Sequence, residues 1–451
     1  MSITLRDYQQ NLLEKARAEL AKGHKSVLCV CATGGGKSYI FMDMADRCKG
    51  KVLVLVHRGE LKGQHIREFK KNGIPMDNII VETVQTVYRR KDAYSGVRMV
   101  IADEAHLFMA RTFKAVIDHF AGLGAYTIGF SASPCRLDGS SMSDIFESMV
   151  DGPQTAELIE KKRLCPYEYY APLTVDVSEL KKQRGDYVTS EVEALMEPAI
   201  YGKVIEEYKR LCPNKQAIAF CVSIEHSQQV ANQFAEAGIM AAHVDGNTPK
   251  KDREAIMERF RAGDIQVLTN VNLFSEGISV DGIGAVIMLR PTASLALCLQ
   301  QWGRGLRYQE GKVCYILDCV GNYTRHGLPD MHREWTLEGK VKEHKEHDEE
   351  TGEFKVRQCP FCYKCFENKG QKECPYCHEP YPTHPKELQA YEQIQLKRIT
   401  EAEVKAEEER KAKLKEDIRN ARCAQDFFEI AKKNGYSHGW AFKRARMRGY
   451  I

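Results

Sequence analysis

The chain has 451 residues, of which 43% are hydrophobic and 28% are charged, and its formal net charge is +4. At roughly 150 residues per domain, this length predicts about three folding units. No run approaches the roughly 18 to 20 apolar residues of a membrane span, and the N-terminus lacks a signal pattern. We therefore expect a cytoplasmic protein without a membrane partner. The small net charge does not by itself indicate a nucleic-acid partner.

Short apolar runs alternate with helical patterns in two parts of the chain. Residues 1–155 hold the runs SVLCVCA, KVLVLVH, RMVIADE and YTIGFSAS, and residues 196–325 hold QAIAFCVS, IQVLTNV and AVIMLRP. This alternation predicts two α/β lobes with parallel sheets, whose ligand sites lie at the carboxyl ends of the strands. The intervening residues 156–195 have two prolines and no sustained period, which predicts a linker.

The first apolar run leads directly into TGGGKS and then into a helical pattern, which is the order of a phosphate-binding loop. Backbone N–H groups of successive glycines can converge on phosphate oxygens. Lys37 can neutralise the charge of the β- and γ-phosphates, and Ser38 can bind magnesium. Cys31 stands where this motif usually has its first glycine.

A second polar pair follows the run RMVIA, where Asp103 and Glu104 begin the sequence DEAH. Asp103 is suited to hold magnesium, and Glu104 to orient the attacking water. The alternative is a pair of exposed carboxylates with no catalytic role, but the buried run before them and the glycine loop upstream favour a nucleotide site. Together the two motifs predict an enzyme that hydrolyses a nucleoside triphosphate, with magnesium as a cofactor.

Beyond lobe two, residues 326–357 are polar and charged, which predicts a solvated connector. The following segment, 358–384, contains two CPxC turns separated by eleven residues. That spacing suits a zinc ribbon with four thiolate ligands, and Cys365 and His378 are spare candidates. Redox-active cysteine pairs are the alternative. The predicted zinc ligands are Cys359, Cys362, Cys374 and Cys377.

The C-terminal part divides into a charged helix at residues 385–420 and a basic helical unit at residues 421–451. In the latter, basic and aromatic side chains lie close together in the sequence. Charge neutralisation and aromatic stacking would favour single-stranded nucleic acid, but a packed helix pair with solvated charges fits the pattern equally well. The residues concerned are Trp440, Phe442, Lys443, Arg444, Arg446, Arg448 and Tyr450.

The motif order LRDYQ, ATGGGKS, VLVHRGEL, TVQT, DEAH, SAS, LTNVNLFSEGIS and QQWGRGLR resembles that of the superfamily 2 helicases, from residue 1 to about residue 325. The tail with its paired CPxC turns is similar to that of RadD-like DNA-repair helicases and their phage and prophage relatives. This resemblance implies two tandem RecA-like lobes followed by a small zinc ribbon and a helical C-terminal tail. ATP would lie in the cleft between the lobes, and nucleic acid would lie across both.

The resemblance also assigns roles to individual residues. Gln9 would recognise adenine, and the arginines of QQWGRGLR would stabilise the charge of the transition state. The catalytic group would be Lys37, Asp103, Glu104, Gln300, Arg304 and Arg307. The nucleotide and magnesium contacts would be Gln9, Thr33, Gly34, Gly35, Gly36, Lys37, Ser38, Asp103 and Gly277. The residues that couple nucleotide to nucleic acid would be His106, Ser131 and Ser133. The nucleic-acid contacts would be His57, Arg58, Thr83, Gln85, Thr86, Ser223, Thr269 and Asn270.

Two features depart from related motors. Ser279 stands where relatives usually have aspartate, so it can form a hydrogen bond there but cannot supply negative charge. In addition, only 22 residues separate Gly277 from Gln300, which is too few for an inserted strand-separating hairpin beside the strand and helix expected there.

These observations predict an ATP-dependent DNA helicase or translocase that acts in repair, recombination or phage replication. The cell would be bacterial or phage-infected, and a repair or replication protein could bind the C-terminal module. An RNA helicase remains an alternative, because contacts to a phosphate backbone do not select the sugar. An ATP-gated clamp or recruitment factor that does not translocate is a second alternative.

Overall fold

The computed structural model describes residues 3–108, 110–136, 140–172, 177, 179–183, 185–195, 198–271, 282–338, 356–381, 413, 417–433, 442, 444–446, 448 and 450. The chain forms two compact units, Met1–Gln371 with Pro375–Cys377, and Lys372–Cys374 with His378–Ile451. The first unit contains both large sheets, and each sheet forms the centre of one lobe. Among the described residues, the helices are all too short or too polar to span a bilayer.

Lobe one is built on a six-stranded sheet with the strand order β3-β2-β4-β5-β1-β6, in which all neighbouring strands are parallel. The strands are β1 (Ser26–Val30), β2 (Lys51–Val56), β3 (Ile79–Thr83), β4 (Val97–Ala102), β5 (Tyr126–Ser131) and β6 (Ser148–Asp151). The helices are α1 (Asp7–Ala21), α2 (Lys37–Arg47), α3 (Gly59–Lys71), α4 (Val84–Arg90) and α5 (Ala110–Gly122).

Helices cover both faces of this sheet, which explains why its strands are continuously apolar. Along β1, Val27 and Cys29 belong to one core, while Leu28 and Val30 belong to the other. The first core also contains side chains from α1, α2 and α3, and the second contains side chains from α4 and α5. Polar side chains are therefore concentrated where the strands end.

Lobe two has a second six-stranded parallel sheet with the order β11-β12-β10-β13-β14-β7. Its strands are β7 (Tyr167–Tyr170), β10 (Ala217–Phe220), β11 (Ala241–Val244), β12 (Val267–Asn270), β13 (Ala285–Met288) and β14 (Cys314–Asp318). Its helices are α8 (Pro198–Leu211), α9 (Ile224–Glu236), α10 (Lys250–Ala262), α11 (Leu295–Gly305) and α12 (Asn322–His326). The predicted pair of RecA-like lobes is thereby confirmed.

The segment predicted to be a linker carries secondary structure. It contains α6 (Thr155–Glu160), a hairpin of β8 (Lys182–Gln183) and β9 (Asp186–Tyr187), and α7 (Thr189–Leu195). It also supplies β7, which pairs with β14 as an edge strand of the lobe-two sheet. The tyrosine-rich run 167–170 has high strand propensity but no alternating pattern, so only pairing with a distant strand reveals its place.

The start of the predicted connector packs against lobe one. Within the described part, 327–338, Trp335 and Leu337 contact the lobe-one core. Arg333 N donates to Gln154 Oε1 over 2.9 Å, and Gln154 Nε2 donates to Arg333 O over 2.7 Å. The expectation of a solvated connector was therefore wrong for Trp335 and Leu337, and also for Leu328, which belongs to the lobe-two core. Apolar side chains so few in number show no period in the sequence.

The cysteine-rich segment joins the edge of the lobe-two sheet. Its strands β15 (Val356–Gln358) and β16 (Cys365–Glu367) pair antiparallel. Ala171 N, just after β7, donates to Tyr363 O over 2.9 Å. Cys365 is 5% exposed and belongs to the lobe-two core. Cys365, which the sequence offers as a spare zinc ligand, therefore packs as an apolar residue of lobe two.

The second compact unit contains α13 (Ala424–Lys433) and a small core of its own. Phe427, Ile430 and Ala431 of α13 are buried there with Ala421 and Ala445. Residues 417–420 are helical, while most of the predicted charged helix at 385–420 lies outside the described residues. The expected helical character of the C-terminal tail is confirmed for its described part.

We predict that Cys365→Ser will destabilise lobe two, because serine would bury a hydroxyl group in an apolar core. The expected loss in the free energy of unfolding is about 1 to 3 kcal/mol. Denaturant unfolding of the full chain measures it, with Cys423→Ser at an exposed position as the control. Equal stability of the two variants would contradict the placement of Cys365 in the core.

Candidate active site

The phosphate-binding turn lies between β1 and α2, as the sequence predicted. Gly36 is the residue before α2 and has φ 78° and ψ 36°, a left-handed conformation that glycine adopts without strain. A Cβ atom at Gly36 would lie 2.4 Å from Gln9 Nε2, and one at Gly35 would lie 2.4 Å from Cys31 Sγ. The turn therefore requires glycine for both its conformation and its close packing. Backbone N–H groups at such a helix start form an anion-binding cradle that fits a triphosphate.

Lys37 is the first residue of α2, and its side chain is 7% exposed. Its Nζ atom lies 3.4 Å from Cys31 O and 3.4 Å from Glu104 Oε1. A buried ammonium group beside one carboxylate can accept a second anionic partner, such as a phosphate. Gln9 reaches the same turn, where its Nε2 atom donates to Gly35 O and Gly36 O over 3.3 Å.

These residues line a cleft of about 590 Å³ between the two lobes. The cleft is mainly polar, which suits a charged ligand better than an apolar one. Lobe one contributes Thr33, Gly34, Gly36, Lys37, Ser38, Asp103 and Glu104 to its wall. Lobe two contributes Arg304, Arg307 and Tyr308. Most of the predicted nucleotide-site residues are thus brought together in one cavity, whereas Gly277 lies outside the described residues.

Asp103 follows β4 and has a partner that the sequence analysis missed. His65 of α3 places its Nε2 atom 2.9 Å from Asp103 Oδ2 and its Nδ1 atom 3.3 Å from Glu68 Oε2. Burial lowers the pKa of His65 and the two carboxylates raise it, with a net rise to about 9. Burial would raise the pKa of Asp103, but His65 and the charge of Lys37 outweigh it and lower that pKa. Asp103 is therefore ionised and able to attract a divalent cation.

Glu104 adopts an unusual backbone conformation, with φ 49° and ψ 53°. This left-handed conformation is uncommon for a residue with a side chain, and such conformations are concentrated at functional sites. The conformation directs the Glu104 carboxylate toward Lys37 at 3.4 Å and His106 Nδ1 at 3.6 Å. A sequence pattern cannot show this turn, because it depends on the local backbone geometry.

A buried hydrogen-bond network crosses from lobe one to lobe two. Ser131 Oγ lies 2.7 Å from His106 Nδ1, and His106 Nε2 lies 2.8 Å from Gln300 Nε2 of α11. Because the Gln300 amide group donates, His106 Nε2 is the acceptor and His106 Nδ1 carries the proton. Ser133 N also donates to Ser131 Oγ over 3.2 Å. The three predicted coupling residues therefore lie in one network with Gln300.

Helix α11 places the lobe-two arginines at the cleft. It begins after Ser294, whose side chain accepts from Leu297 N, and Arg304 lies in its last turn. The backbone of α11 at Gly303 lies close to the Thr33 side chain of lobe one, since a Cβ atom at Gly303 would lie 2.6 Å from Thr33 Cγ2. Glycine at 303 therefore lets α11 pack against the phosphate-binding turn and bring Arg304 to the same cavity.

Several residues predicted to contact nucleic acid lie at helix starts. Arg58 precedes α3, Thr83 precedes α4, and Ser223 precedes α9. Thr83 Oγ1 accepts from Thr86 N over 3.3 Å, and Ser223 Oγ accepts from His226 N over 3.2 Å. Helix N-termini attract phosphate groups. Gln85 is exposed beside Thr86, and His57 is partly buried next to Arg58.

Thr269 and Asn270 do not lie on this surface, although the motif resemblance placed them with the nucleic-acid contacts. Both are fully buried at the end of β12. Thr269 Oγ1 donates to Ser227 O over 2.8 Å, and Asn270 Nδ2 donates to Ala219 O over 2.9 Å. They therefore act as internal hydrogen-bonding groups of lobe two in this conformation. Ser279 lies outside the described residues.

The four cysteines predicted as zinc ligands are brought together, and their Sγ atoms all lie within 4.8 Å of one another. Cys359 Sγ and Cys377 Sγ are 3.6 Å apart. A tetrahedral zinc ion with bonds of about 2.3 Å separates neighbouring sulfur atoms by about 3.8 Å. The donor set therefore fits zinc, whereas Cys365 is used in the lobe-two core and His378 is not part of the group.

The two CPxC turns share one construction. Tyr363 N donates to Cys359 O and His378 N donates to Cys374 O, both over 2.9 Å. Tyr363 and His378 also have φ values of 63° and 61°. Each turn therefore brings its two thiol groups together through the same backbone arrangement. This repeated geometry is typical of paired zinc-binding turns and does not resemble a single redox-active pair.

Comparison with known families agrees with this geometry. Residues 2–136 match the family described as "Type III restriction enzyme, res subunit", and residues 202–309 match "Helicase conserved C-terminal domain". A "51.5 kDa protein" of a Lactococcus phage is 36% identical over 387 residues, which are 85% of this chain and 82% of the phage protein. The "Putative ATP-dependent helicase IRC3" of Saccharomyces cerevisiae is 30% identical over 357 residues, which are 70% of this chain.

The chain spans 51% of the yeast protein's length in that match. Among solved structures, the "ATP-dependent Type ISP restriction-modification enzyme LlaBIII bound to DNA" has a similar fold, with a TM-score of 0.53 and 19% identity. That similarity covers 70% of this chain and 28% of the restriction enzyme. The match to the phage protein, the two family matches and the order of the cleft motifs lead to one conclusion. The chain belongs to the superfamily 2 helicases, which are nucleic-acid-dependent ATPases.

Proposed function

We propose that this protein is an ATP-dependent DNA helicase or translocase that acts in repair, recombination or phage replication. The observation that carries the proposal is the single cleft in which Lys37, Asp103 and Glu104 of lobe one face Arg304 and Arg307 of lobe two. Phosphoryl transfer needs positioned positive charge and a water-orienting carboxylate, and this cavity contains both.

Each lobe has a distinct role in this proposal. The glycine turn and Lys37 hold the phosphates, and Ser38 and Asp103 hold magnesium, which neutralises phosphate charge when it is bound. Glu104 orients the attacking water, and its position beside Lys37 keeps its carboxylate at the phosphate end of the cleft. Arg304 and Arg307 stabilise the transition-state charge only when lobe two is closed. Hydrolysis therefore depends on the contact between lobes.

The His106–Gln300 hydrogen bond provides a physical link between the nucleotide site and the closure of the lobes. His106 is two residues from Glu104, and Gln300 is one turn of α11 from Arg304. Separation of the lobes would break this buried hydrogen bond and withdraw Arg304 from the cleft. Repeated closure and opening would then move the lobes along a strand held by the helix starts at Arg58, Thr83 and Ser223.

Two observations favour DNA over RNA. Lobe one matches a family named for a restriction enzyme subunit, a class of enzyme that acts on DNA. The paired CPxC tail is similar to that of RadD-like DNA-repair helicases. Contacts through helix starts and hydroxyl groups hold phosphates without reading bases, so binding is independent of sequence. A repair or replication protein remains the proposed partner of the C-terminal module.

The function is tested by measuring ATP hydrolysis with matched single-stranded DNA, duplex DNA, forked DNA and RNA. We expect DNA to stimulate turnover more than RNA of the same sequence. Greater stimulation by RNA would replace the proposal with an RNA helicase. Displacement of streptavidin from a biotinylated DNA end tests movement, and failure to displace it despite DNA-stimulated hydrolysis would favour a clamp.

We predict separable defects for two lobe-one variants. Glu104→Gln should bind ATP but lose roughly 100-fold or more in turnover, because it removes the group that orients water. Lys37→Ala should weaken ATP binding itself. Equilibrium binding of a fluorescent ATP analogue and DNA-stimulated hydrolysis measure the two properties. Wild-type turnover by Glu104→Gln would remove Glu104 from the proposed role.

We predict that Gly303→Ala will slow hydrolysis by roughly 100-fold, because the added methyl group would push α11 away from Thr33 and displace Arg304 by about 1 Å. Gly246→Ala is the matched control, since a Cβ atom at that exposed lobe-two glycine would meet no atom within 4 Å. Similar turnover by both variants would show that the Gly303 contact is not needed for closure.

We predict one zinc ion per chain, bound by the four cysteines. Elemental analysis of protein purified without chelator measures it, and the double variant Cys359→Ser, Cys374→Ser should lose the metal. Because Tyr363 is hydrogen-bonded to the lobe-two edge, the same variant should also lower the stability of lobe two. Cys423→Ser is the control, and wild-type protein without zinc would contradict the assignment.

A further inference from the structure

His65 is held more tightly than an ordinary core histidine. Its side chain is 3% exposed, and both ring nitrogens have carboxylate partners, Asp103 at 2.9 Å and Glu68 at 3.3 Å. The ring of Phe41 meets it edge-on, with centroids 5.2 Å apart and an interplanar angle of 83°. These three contacts fix the plane of the imidazole ring and the direction of its Nε2 atom.

The contact with His65 sets the orientation of the Asp103 carboxylate relative to the cleft. The Asp103 backbone is itself fixed, since Asp103 N donates to Leu55 O over 3.1 Å. His65 engages Oδ2, which leaves Oδ1 as the oxygen available to the cleft. Residues that hydrogen-bond a metal-binding carboxylate orient it and strengthen metal binding.

We infer that His65 is a positioning residue that orients the Asp103 carboxylate for the magnesium ion of the ATP complex. This inference rests on the proposed function, in which Asp103 holds magnesium. Helix α3 supplies both His65 and Glu68, so one helix carries the positioning pair. A histidine that only stabilised the docking of α3 would affect folding without changing metal affinity, and this difference makes the inference testable.

The test measures Mn²⁺ affinity by electron paramagnetic resonance in the presence of a non-hydrolysable ATP analogue. His65→Leu should weaken Mn²⁺ binding by about tenfold or more. His65→Gln should restore much of it, because its side-chain amide can donate to the same oxygen. His119→Leu is the control, since His119 is a partly buried histidine of the same lobe outside the cleft.

Asp103→Asn separates the possible failures. If it leaves Mn²⁺ affinity unchanged, Asp103 does not hold the metal and the proposed magnesium site is wrong. If Asp103→Asn weakens binding but His65→Leu does not, only the role of His65 is overturned. Should His65→Leu fail to fold, Glu68→Gln takes its place, because it weakens the second anchor of the ring. Unchanged Mn²⁺ affinity in folded Glu68→Gln protein would then overturn the inference.

An independent observation concerns the second compact unit. Ala445 is buried against Phe427, Ile430 and Ala431, while the neighbouring Arg444 and Arg446 are exposed. Arg448 is exposed as well, and Phe442 is 48% exposed. Among the described residues, Arg446 and Arg448 form no ion pair. Phe442, Arg446 and Arg448 are therefore exposed side chains within seven residues of one another in the chain.

Two of the three acidic groups that the structure describes between residues 417 and 450 have partners of their own. Asp417 pairs with Lys433 at 3.2 Å, and Asp426 accepts from Arg422 N and Cys423 N. Glu429 is an exposed carboxylate of α13. Tyr450 supports the local fold, because its ring packs on Phe427 with centroids 6.2 Å apart and its hydroxyl group donates to Ala421 O. Phe442, Arg446 and Arg448 are thus the exposed groups that this segment offers to a ligand.

We propose that Phe442, Arg446 and Arg448 form a binding site for single-stranded DNA outside the motor lobes. The guanidinium groups would neutralise phosphates, and Phe442 would stack on a base. Neutralisation of each phosphate by a single-strand-binding protein contributes about 0.7 to the slope of log affinity against log salt. The site therefore predicts a measurable change in salt dependence.

The test uses the full chain and fluorescence anisotropy with labelled oligothymidine at several salt concentrations, without nucleotide. Arg446→Ala, Arg448→Ala should reduce the salt slope by about 1.4, and Phe442→Ala should weaken binding by at least about fivefold. The double variant Arg17→Ala, Lys22→Ala removes one exposed charge of α1 and one directly after that helix, and it should change neither property.

The outcomes distinguish this site from the motor. If the wild-type protein binds no single-stranded DNA, the site at Phe442 is overturned, while the proposed function is still decided by ATP hydrolysis with duplex and forked DNA. If it binds but the C-terminal variants retain the wild-type slope and affinity, only the site at Phe442 is overturned, and an acidic protein partner would then be the better occupant of that surface.

Discussion

Each lobe is a parallel sheet with helices packed on both faces, and this constraint determines where its chemistry can occur. Side chains along such strands alternate between two buried cores, as Val27 and Leu28 do in β1. Polar groups are therefore concentrated at the strand ends, where Lys37, Asp103, Glu104 and the Ser131 network all lie. A single cleft can then receive chemistry from both lobes without interrupting either core.

Contact between the lobes depends on residues that do not themselves perform chemistry. Gly303 allows α11 to approach Thr33, and the His106–Gln300 hydrogen bond joins the two sheets across the cleft. Because this hydrogen bond is buried, its loss on opening would leave two polar groups without a protein partner unless water replaces it. In the proposed cycle, closure would be cooperative, since the packing at Gly303 and the hydrogen bond of Gln300 would form together.

The segments outside the two motif-rich lobes are integrated with them. Strand β7 forms one edge of the lobe-two sheet, and the first cysteine turn is hydrogen-bonded to the residue just after it. Trp335 and Leu337 pack against the core of lobe one. Metal binding at the cysteine turns would consequently affect the stability of lobe two, because Tyr363 accepts a hydrogen bond from Ala171 and Cys365 lies in the lobe-two core. A segment between motifs in the sequence is thus not necessarily a flexible linker in the fold.

The sequence by itself determined the two-lobe architecture, the phosphate-binding turn, the DEAH carboxylates and the four-cysteine group. Each of these depends on local patterns: alternating elements, a glycine turn between strand and helix, or ligand spacing. The sequence could not show that His65 contacts Asp103 or that Cys365 belongs to a core. Nor could it show that Thr269 and Asn270 are buried. Those facts depend on which distant residues pack together. A lone histidine, cysteine or hydroxyl residue carries no periodic signal, and only the tertiary structure brings its partner from another helix or strand.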